Sequence, residues 1–406
     1  MNYLGIDVSK STSRYALLDN DGEQSTKPFT LNNDHQGFEK LLTKMTELAL
    51  SSDGVLIGIE ATGIWWENLY CLLTEKGFKV IVLNPHQTNK FREALRFKAK
   101  TDDIDAYVIA GLLRSGKHAA SYIPEENIQI LREITKLRFN LVKDRQNYQR
   151  QVCSLLALLF PEYEKTALKN PFTISSLAIL KAYPTAKHLA EIKPKHIEKI
   201  VRSIKGNNFN IEEIQRLIET AQNSIYSGRA KDARGLNLNI LLTQAETTAN
   251  AIAQLDQRID DILSPQNSEG ANSFPGANLL SIPGVGPKTL AAILSAVGSN
   301  GQAFPDGRHF IGHLGFFPKI YDSGETHRAN TISSRGPKYL RRALYIAAVA
   351  CLKHNPEFKA LYNRKISQGK TAKQALVYVV KKLAHLCLSM LKSGDSYNPS
   401  RVFMPA

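Results

Sequence analysis

"YLGIDVSKSTSRYALLDNDGE", residues 3–23, decides how the fold begins. Apolar residues run through 3–8 and again through 13–19, and "NDGE" at 20–23 has the composition of a hairpin-type turn. Two short strands back to back make the sheet they open mixed, not purely parallel. Outward from there, Phe38, Leu41, Leu42, Met45 and Leu48 predict a helix over about 34–50. "GVLIGIE" (54–60) reads as a buried strand ending on a glutamate, "IWWENLYCLLTEKG" (64–77) as a helix closed by Gly77, and "KVIVLNP" (79–85) as another strand. Strands alternating with helices define an α/β layer.

That layer carries an unusual set of acids. "KTDDIDAYVIAGLL" (100–113) crowds three aspartates into four positions before an apolar helix. The i, i+3 spacing puts Asp102 and Asp105 on one helix face, while Asp103 points elsewhere and serves as helix-start charge. Asp7 lies on the first strand and Glu60 closes a central one. In open α/β sheets, strand C-terminal ends and helix N-termini meet at one edge. Four carboxylates meeting there repel unless cations sit between them, and all-oxygen ligands favour Mg²⁺ or Mn²⁺. Two such ions suit phosphodiester chemistry. The helix macrodipole, about 0.3–1 kcal/mol, explains Asp102 and Asp103 without a metal. It does not explain a glutamate at the end of an apolar strand.

From about 126 the pattern changes to long helix. Ile130, Ile134, Leu137, Leu141, Tyr148, Val152, Leu155 and Leu159 follow 3/4 steps until Pro161. Leu241, Ala245, Thr248, Ile252, Leu255, Ile259 and Ile262 repeat the seam, and the two predict an antiparallel coiled coil. Between them, 165–235 reads as short polar helices. "SPQNSEGANSFPGAN" (264–278) is a linker. The expected units are an α/β domain over 1–125, a coiled-coil domain over 126–265 with a helical insertion at about 165–235, a helical domain over 279–393 and a loose tail over 394–406.

Net charge is +15, and it is concentrated: residues 1–120 hold 14 Lys/Arg and 15 Asp/Glu, residues 301–406 hold 17 and 5. A polyanion is the partner such a segment fits. "LLSIPGVGPKTLAAILSAVG" (279–298) fits a helix-hairpin-helix element, with Gly284 and Gly286 for close backbone approach to a phosphate and Lys288 adding charge. Further on, Asp322-Ser323-Gly324 precedes His327, Arg328, Arg335, Lys338, Arg341 and Arg342. A serine amid that charge is a candidate nucleophile on a phosphodiester, with Ser333 and Ser334 as rivals and a plain surface turn as the alternative. Cys71, Cys153, Cys351 and Cys387 are far apart, which argues for core thiols in a reducing cytoplasm rather than disulfides or a zinc ribbon. No apolar run reaches the roughly 18 residues that span a membrane, so no membrane is expected among the partners. "QGKT" (368–371) lacks the earlier glycine of a phosphate loop, and His309/His313 lack the glutamate of a zinc-protease helix.

Together, "YLGIDVSK", "GIEATGIWWENL", "NPHQTNKFREALRFKAKTDDIDAYVIA", "IPGVGPKTLAAIL" and "LGFFP…SG…SSRGPKYLRRAL" resemble the DEDD-type insertion-sequence transposases, relatives of the Piv site-specific DNA invertases. The resemblance covers nearly the whole chain except about 165–235. It implies a RuvC-like, ribonuclease H-type domain using Asp7, Glu60, Asp102 and Asp105 with Mg²⁺. It also implies a C-terminal transposase domain whose serine, here Ser323, becomes transiently linked to DNA. A bridge RNA pairing with donor and target DNA, and a tetramer sharing active sites through the coiled coil, are further implications. So is action on element ends and target DNA in a bacterial or archaeal cytoplasm, at the nucleoid. In two respects the chain departs from the family: Ser323 is followed by Gly324 and then Glu325, not by two glycines, and the 165–235 segment is longer than expected, either to carry RNA contacts or to extend the coiled coil. Two other readings stand beside this one: a metal-dependent junction nuclease using water, and a non-catalytic nucleic-acid-binding protein.

Overall fold

The computed structural model describes residues 1–96, 101–204, 209–264, 274–317, 333 and 336–403, with the backbone alone at 322–323 and 326–327. Two compact units divide the chain, Met1–Ile123 and Pro124–Ala406.

In the first unit, β1 (Asn2–Val8) and β2 (Thr12–Leu18) form the expected hairpin. The Asp19 carboxylate accepts from the N–H groups of Asp21, Gly22 and Glu23 at 2.8–2.9 Å, which fixes the second turn. A strand the sequence did not suggest, β3 (Phe29–Asn32), pairs with β2 as a half-exposed edge. There follow α1 (His35–Glu47), β4 (Val55–Glu60), α2 (Trp66–Glu75) and β5 (Lys79–Leu83). The unit closes with α3 (Pro85–Ala94), also unanticipated, and α4 (Asp102–Arg114). Strand order is β3-β2-β1-β4-β5, with β1, β4 and β5 parallel. This is a mixed five-stranded sheet, as the opening hairpin required.

Alternation sorts the sheet's two faces. Leu4, Ile6, Val8, Ile57 and Ile59 join Phe38, Leu41 and Leu73 in one buried cluster. On the other face Gly5 and Gly58 lie side by side in the parallel register. A Cβ on Gly5 would stand 2.1 Å from the Ala106 carbonyl oxygen, and one on Gly58 2.7 Å from Leu113 Cδ1. The glycine pair is therefore the groove in which α4 lies.

The second unit starts with α5 (Glu126–Leu159). Next come four short helices, α6 (Ile174–Ala182), α7 (Ala186–Ala190), α8 (Pro194–Arg202) and α9 (Ile211–Gln222), and then α10 (Lys231–Leu263) returns along α5. Ile128 and Leu131 share a cluster with Ile259 and Leu263, and Val152, Leu156 and Leu159 share another with Leu238 and Leu242. The start of α5 thus meets the end of α10: the pair is antiparallel. Arg138 and Asp256 form an ion pair between the two helices. The expected seam of α5 needs correcting. Ile130 and Leu137 are 36% and 51% exposed, and Ile128, Leu131 and Thr135 take their place inside.

Among the described residues the remainder is helical apart from one short ladder: α11 (Pro287–Val297), α12 (Gly307–Leu314), β6 (Asp322–Ser323) with β7 (Thr326–His327), α13 (Lys338–His354), α14 (Pro356–Ser367) and α15 (Ala372–Ser393). Among the described residues α15 alone is long and apolar enough, by length and mean composition, to cross a membrane, but Lys381 and Lys382 interrupt its apolar run and 61% of that window is buried. It is the central core helix. The linker reading at 264–278 falls mostly outside the described residues. The "loose" tail is pinned instead: Tyr397 shares hydrogen bonds of 2.8 and 3.1 Å with the Asn355 amide, and Val402 is buried. Cys351 and Cys387 are core thiols as expected, but Cys71 and Cys153 are exposed. "QGKT" is a helix junction, with Gly369 at φ 78° and Thr371 capping α15.

Candidate active site

The last paired residues of β1 and β4 are Ile6 and Ile59; the next on each strand are Asp7 and Glu60. Period two then puts Asp7 on the face of Gly5 and Glu60 on the face of Gly58, toward α4. That helix begins at the same edge. Its Thr101 cap accepts from the Ile104 N–H, and Asp102, Asp103 and Asp105 occupy its first turn. Two strands and one helix thereby carry all four predicted acids to one end of the sheet.

Each acid has its own environment there. Thr62 Oγ1 donates to Glu60 Oε1 at 2.7 Å, and the buried Thr88 hydroxyl lies 2.6 Å from Oε2. Asp105, only 17% exposed, pairs with Arg92 Nη1 at 3.1 Å. A cleft of about 360 Å³ takes in Glu60, His86, Thr88, Asn89, Arg92 and Asp105; its lining does not include Asp7 or Asp102. Asp102 is exposed, and Asp103 turns aside to Arg14 on β2, which fits its reading as helix-start charge. Among the described residues, no three Asp, Glu, His or Cys side chains are gathered as a ready-made ion site. The four acids are neighbours at one edge, but they do not form a preassembled ligand set. The donors are nonetheless hard carboxylate oxygens, two of them in one cleft, and they fit a divalent cation.

Thr88 and Arg92 escaped sequence reasoning because α3 did. Only Thr88 on that helix is buried, so it has no apolar stripe to find. The available signal was "NP" at 84–85: Asn84 caps the helix by accepting from the His86 N–H, and Pro85 takes the first turn.

In the second unit, Ser323 pairs with Thr326 and Asp322 with His327 in the β6–β7 ladder. Arg328, Arg335 and Ser334 lie outside the described residues. Ser333 is buried at 1% exposure, which ill suits a nucleophile for DNA. Lys338, Arg341 and Arg342 sit in the first turns of α13, where cations oppose the helix dipole unless an anion joins them. The proposed helix-hairpin-helix is altered. Its first arm is a single 3₁₀ turn, Ala277–Ser281. Gly284 is explained by packing, since a Cβ there would stand 2.6 Å from the Cys351 backbone nitrogen. Lys288 is held by Asp260 at 2.6 Å, and only Gly286 faces open space.

A mixed sheet whose central parallel strands end in carboxylates is an arrangement compatible with metal-assisted phosphodiester chemistry. Residues 4–161 match a family described as transposase, and residues 276–363 match the IS116/IS110/IS902 transposase family. The pilin gene-inverting protein of Moraxella lacunata is 23% identical over 400 residues, 98% of this chain and 97% of that one. The mini-circle putative transposase for IS117 of Streptomyces coelicolor is 26% identical over 417 residues, 99% and 97%. An uncharacterized 42 kDa protein of insertion element IS900 from Mycobacterium paratuberculosis is 24% identical over 404 residues, 98% and 97%. The chain belongs to the DEDD-type insertion-sequence transposases, enzymes that cleave and rejoin DNA and that depend on divalent metal.

Proposed function

We propose that this protein moves an insertion sequence by cutting and rejoining DNA through a serine–phosphate intermediate. The observation that carries the reading is the shared cleft of Glu60 and Asp105, beside Asp7 at the adjacent strand end. Mg²⁺ or Mn²⁺ held by Asp7, Glu60, Asp102 and Asp105 would supply Lewis acidity to a phosphoryl oxygen. Thr62 and Thr88 orient Glu60 for that task. Ser323 Oγ forms a bond to phosphorus as the bond from phosphorus to a deoxyribose oxygen breaks. The serine proton passes to a base and the departing oxygen gains one. The reverse reaction with another DNA end rejoins the strands.

Lys338, Arg341 and Arg342, with Arg328 and Arg335 in sequence beside them, hold the backbone phosphates. Gly286 and the start of α11 offer N–H groups to another; Gly284 and Lys288, engaged inside the protein, contribute through the shape of that turn. We read α5 and α10 as an antiparallel coiled coil that brings four copies together, so that the carboxylates of one protomer serve the serine of another. A bridge RNA pairing with element ends and target would supply the sequence reading. The setting is cytoplasmic, at the nucleoid. The gene inversion named for the Moraxella relative also requires DNA strands to be cut and rejoined.

The test incubates wild type, Ser323→Ala and Asp102→Ala with element-end DNA, candidate RNA and Mg²⁺, then looks for an adduct that survives denaturation. Adduct from wild type alone is expected. Cleavage that survives Ser323→Ala without adduct would make the protein a junction nuclease using water. Binding with no strand breakage would make it a non-catalytic nucleic-acid-binding protein.

A further inference from the structure

We propose that Arg92 is a built-in competitor for the divalent cation: it holds Asp105 until an ion takes that carboxylate, and then turns to a DNA phosphate. The proposal rests on the reading of Asp105 as a metal ligand.

The cleft contains two carboxylates and one cation, and they are unequally served. Among the described residues Glu60 is held by two neutral hydroxyls and has no ion-pair partner, whereas Asp105 has the Arg92 guanidinium at 3.1 Å. Both members of that pair are mostly buried, at 19% and 17% exposure. On the same helix, Lys90 and Glu93 are 62% and 54% exposed. Burial strengthens the first pair and solvent screens the second. A guanidinium and a divalent ion on the same carboxylate draw on the same charge. When an ion lies between Glu60 and Asp105, like charge drives Arg92 off.

The structure also provides somewhere for it to go. Asn89, one turn back, accepts from Arg92 Nη2 and anchors the guanidinium to α3 independently of Asp105. His86, Asn89 and Arg92 recur every third residue along one side of α3 and all line the cleft. A planar guanidinium at the end of that polar strip is suited to two-point contact with a phosphate. Arg92 is thus a positioning residue: it acts on the metal through Asp105 and on the substrate only after release.

The measurement is Mn²⁺ binding by titration calorimetry on the full chain carrying Ser323→Ala, without DNA. An opposite charge near a carboxylate changes its affinity for a cation by about tenfold or more, so Arg92→Gln is expected to bind Mn²⁺ roughly ten times more tightly. Arg92→Lys keeps the charge and stays within about twofold, as does Lys90→Gln, which removes the same charge from an exposed site. Trp65 and Trp66 fluorescence melts establish that each variant is folded. Arg92→Met, which keeps the apolar stem, replaces Arg92→Gln if that variant melts early. Unchanged or weaker Mn²⁺ affinity in a folded Arg92→Gln overturns the proposal and leaves Arg92 as scaffold. If wild type and Arg92→Gln both fail to bind Mn²⁺, the metal reading of the carboxylates falls instead.

Discussion

The two ends of this chain handle charge in opposite ways. Around the sheet edge of the first unit the acids are engaged within the protein: Glu60 has Thr62 and Thr88, Asp103 has Arg14, and Asp105 has Arg92. In the last quarter, 17 Lys/Arg face 5 Asp/Glu, and α13 and α15 contain no acid at all. The cations at the start of α13 and along α15 therefore outnumber the acids of their own segment. On the reading proposed above, the first unit would release its acids only to a competing cation, and the excess positive charge of the last quarter would be met by a polyanion. An enzyme on DNA needs both: a small, ordered acidic centre and a broad basic surface that brings a polyanion to it.

The largest way to break this comparison is to lift α4 off the sheet. Gly5→Ala would force a methyl to 2.1 Å from the Ala106 carbonyl oxygen, backbone that no rotamer change can relieve. Overpacking of this kind costs about 3 kcal/mol, at the upper end of its usual range. Both tryptophans, Trp65 and Trp66, lie in the first unit, so their fluorescence in a urea titration reads that unit alone. The expected result is an early transition there and loss of DNA cleavage, with helical signal from the second unit retained. An unshifted midpoint would mean that α4 does not depend on the glycine groove.

A smaller change sharpens the comparison at the acids themselves. Thr88→Val preserves volume but removes the hydroxyl next to Glu60 Oε2. Loss of a hydrogen bond to a charged group costs about 1.5–3 kcal/mol, so cleavage should fall roughly ten- to a hundredfold. Stability should change little, because Glu60 is near solvent and can be rehydrated. Strand-cleavage rates at saturating Mg²⁺ check this. A rate equal to wild type would show Thr88 to be no more than helix packing.

Where reading from sequence succeeded and failed follows the same physical line. The opening hairpin, β4 and β5 were legible because burial on one or both faces writes itself as alternation or as an apolar run. The placement of Asp7, Glu60, Asp102 and Asp105 at one edge of the sheet followed from where such elements must end. β3 was not legible: four half-exposed residues carry little pattern. Nor was α3, whose one buried residue is a threonine, and with it went Arg92 and the Thr88 contact. Glycines misled in both directions. Gly5 and Gly58 attracted no notice inside their strands, although they admit a helix. Gly284, in a motif that suggests phosphate, admits the backbone of α13. A glycine announces close approach but not of what. The α5 seam slipped because its first turns also pack on the C-terminal helices, which draws Ile128 and Leu131 inward.

On the basic side the effects are smaller and spread over many residues. Removing one phosphate-neutralising cation reduces the slope of log affinity against log salt by about 0.9 on duplex DNA. Lys338→Gln should therefore weaken binding a few-fold at physiological salt, equally for element-end and unrelated duplex, and flatten the slope by about one unit. Fluorescence anisotropy at several salt concentrations reads both. A sequence-dependent loss would instead make Lys338 a base-reading residue.

The smallest expected effect concerns proton uptake in the second unit. His313, against Phe304 with ring centroids 5.0 Å apart, has its pKa held below the ordinary 6.5 by burial, and secondarily by the positive charge of Arg132. His385 is shifted the same way, chiefly by burial and then by Lys382, with Arg308 adding to it and Asp306 opposing it. The unfolded chain then takes up protons at a higher pH than the folded one. The stability these histidines lend is complete above about pH 6.5 and drains away as pH falls below it. Cys351 and Cys387 are buried in the same unit, whereas Cys71 and Cys153 are exposed throughout. Pulsed labelling with a pyridyl disulfide, which reacts with thiols in acid, counts openings of this core when normalised at each pH to those exposed thiols. Labelling of the two buried thiols should rise between pH 6.5 and 5 in wild type and less steeply in His313→Gln, while tryptophan fluorescence from the carboxylate-bearing unit stays flat. Equal pH dependence in both proteins would remove His313 from the account, and a parallel fluorescence change would mean that the two units lose their structure together.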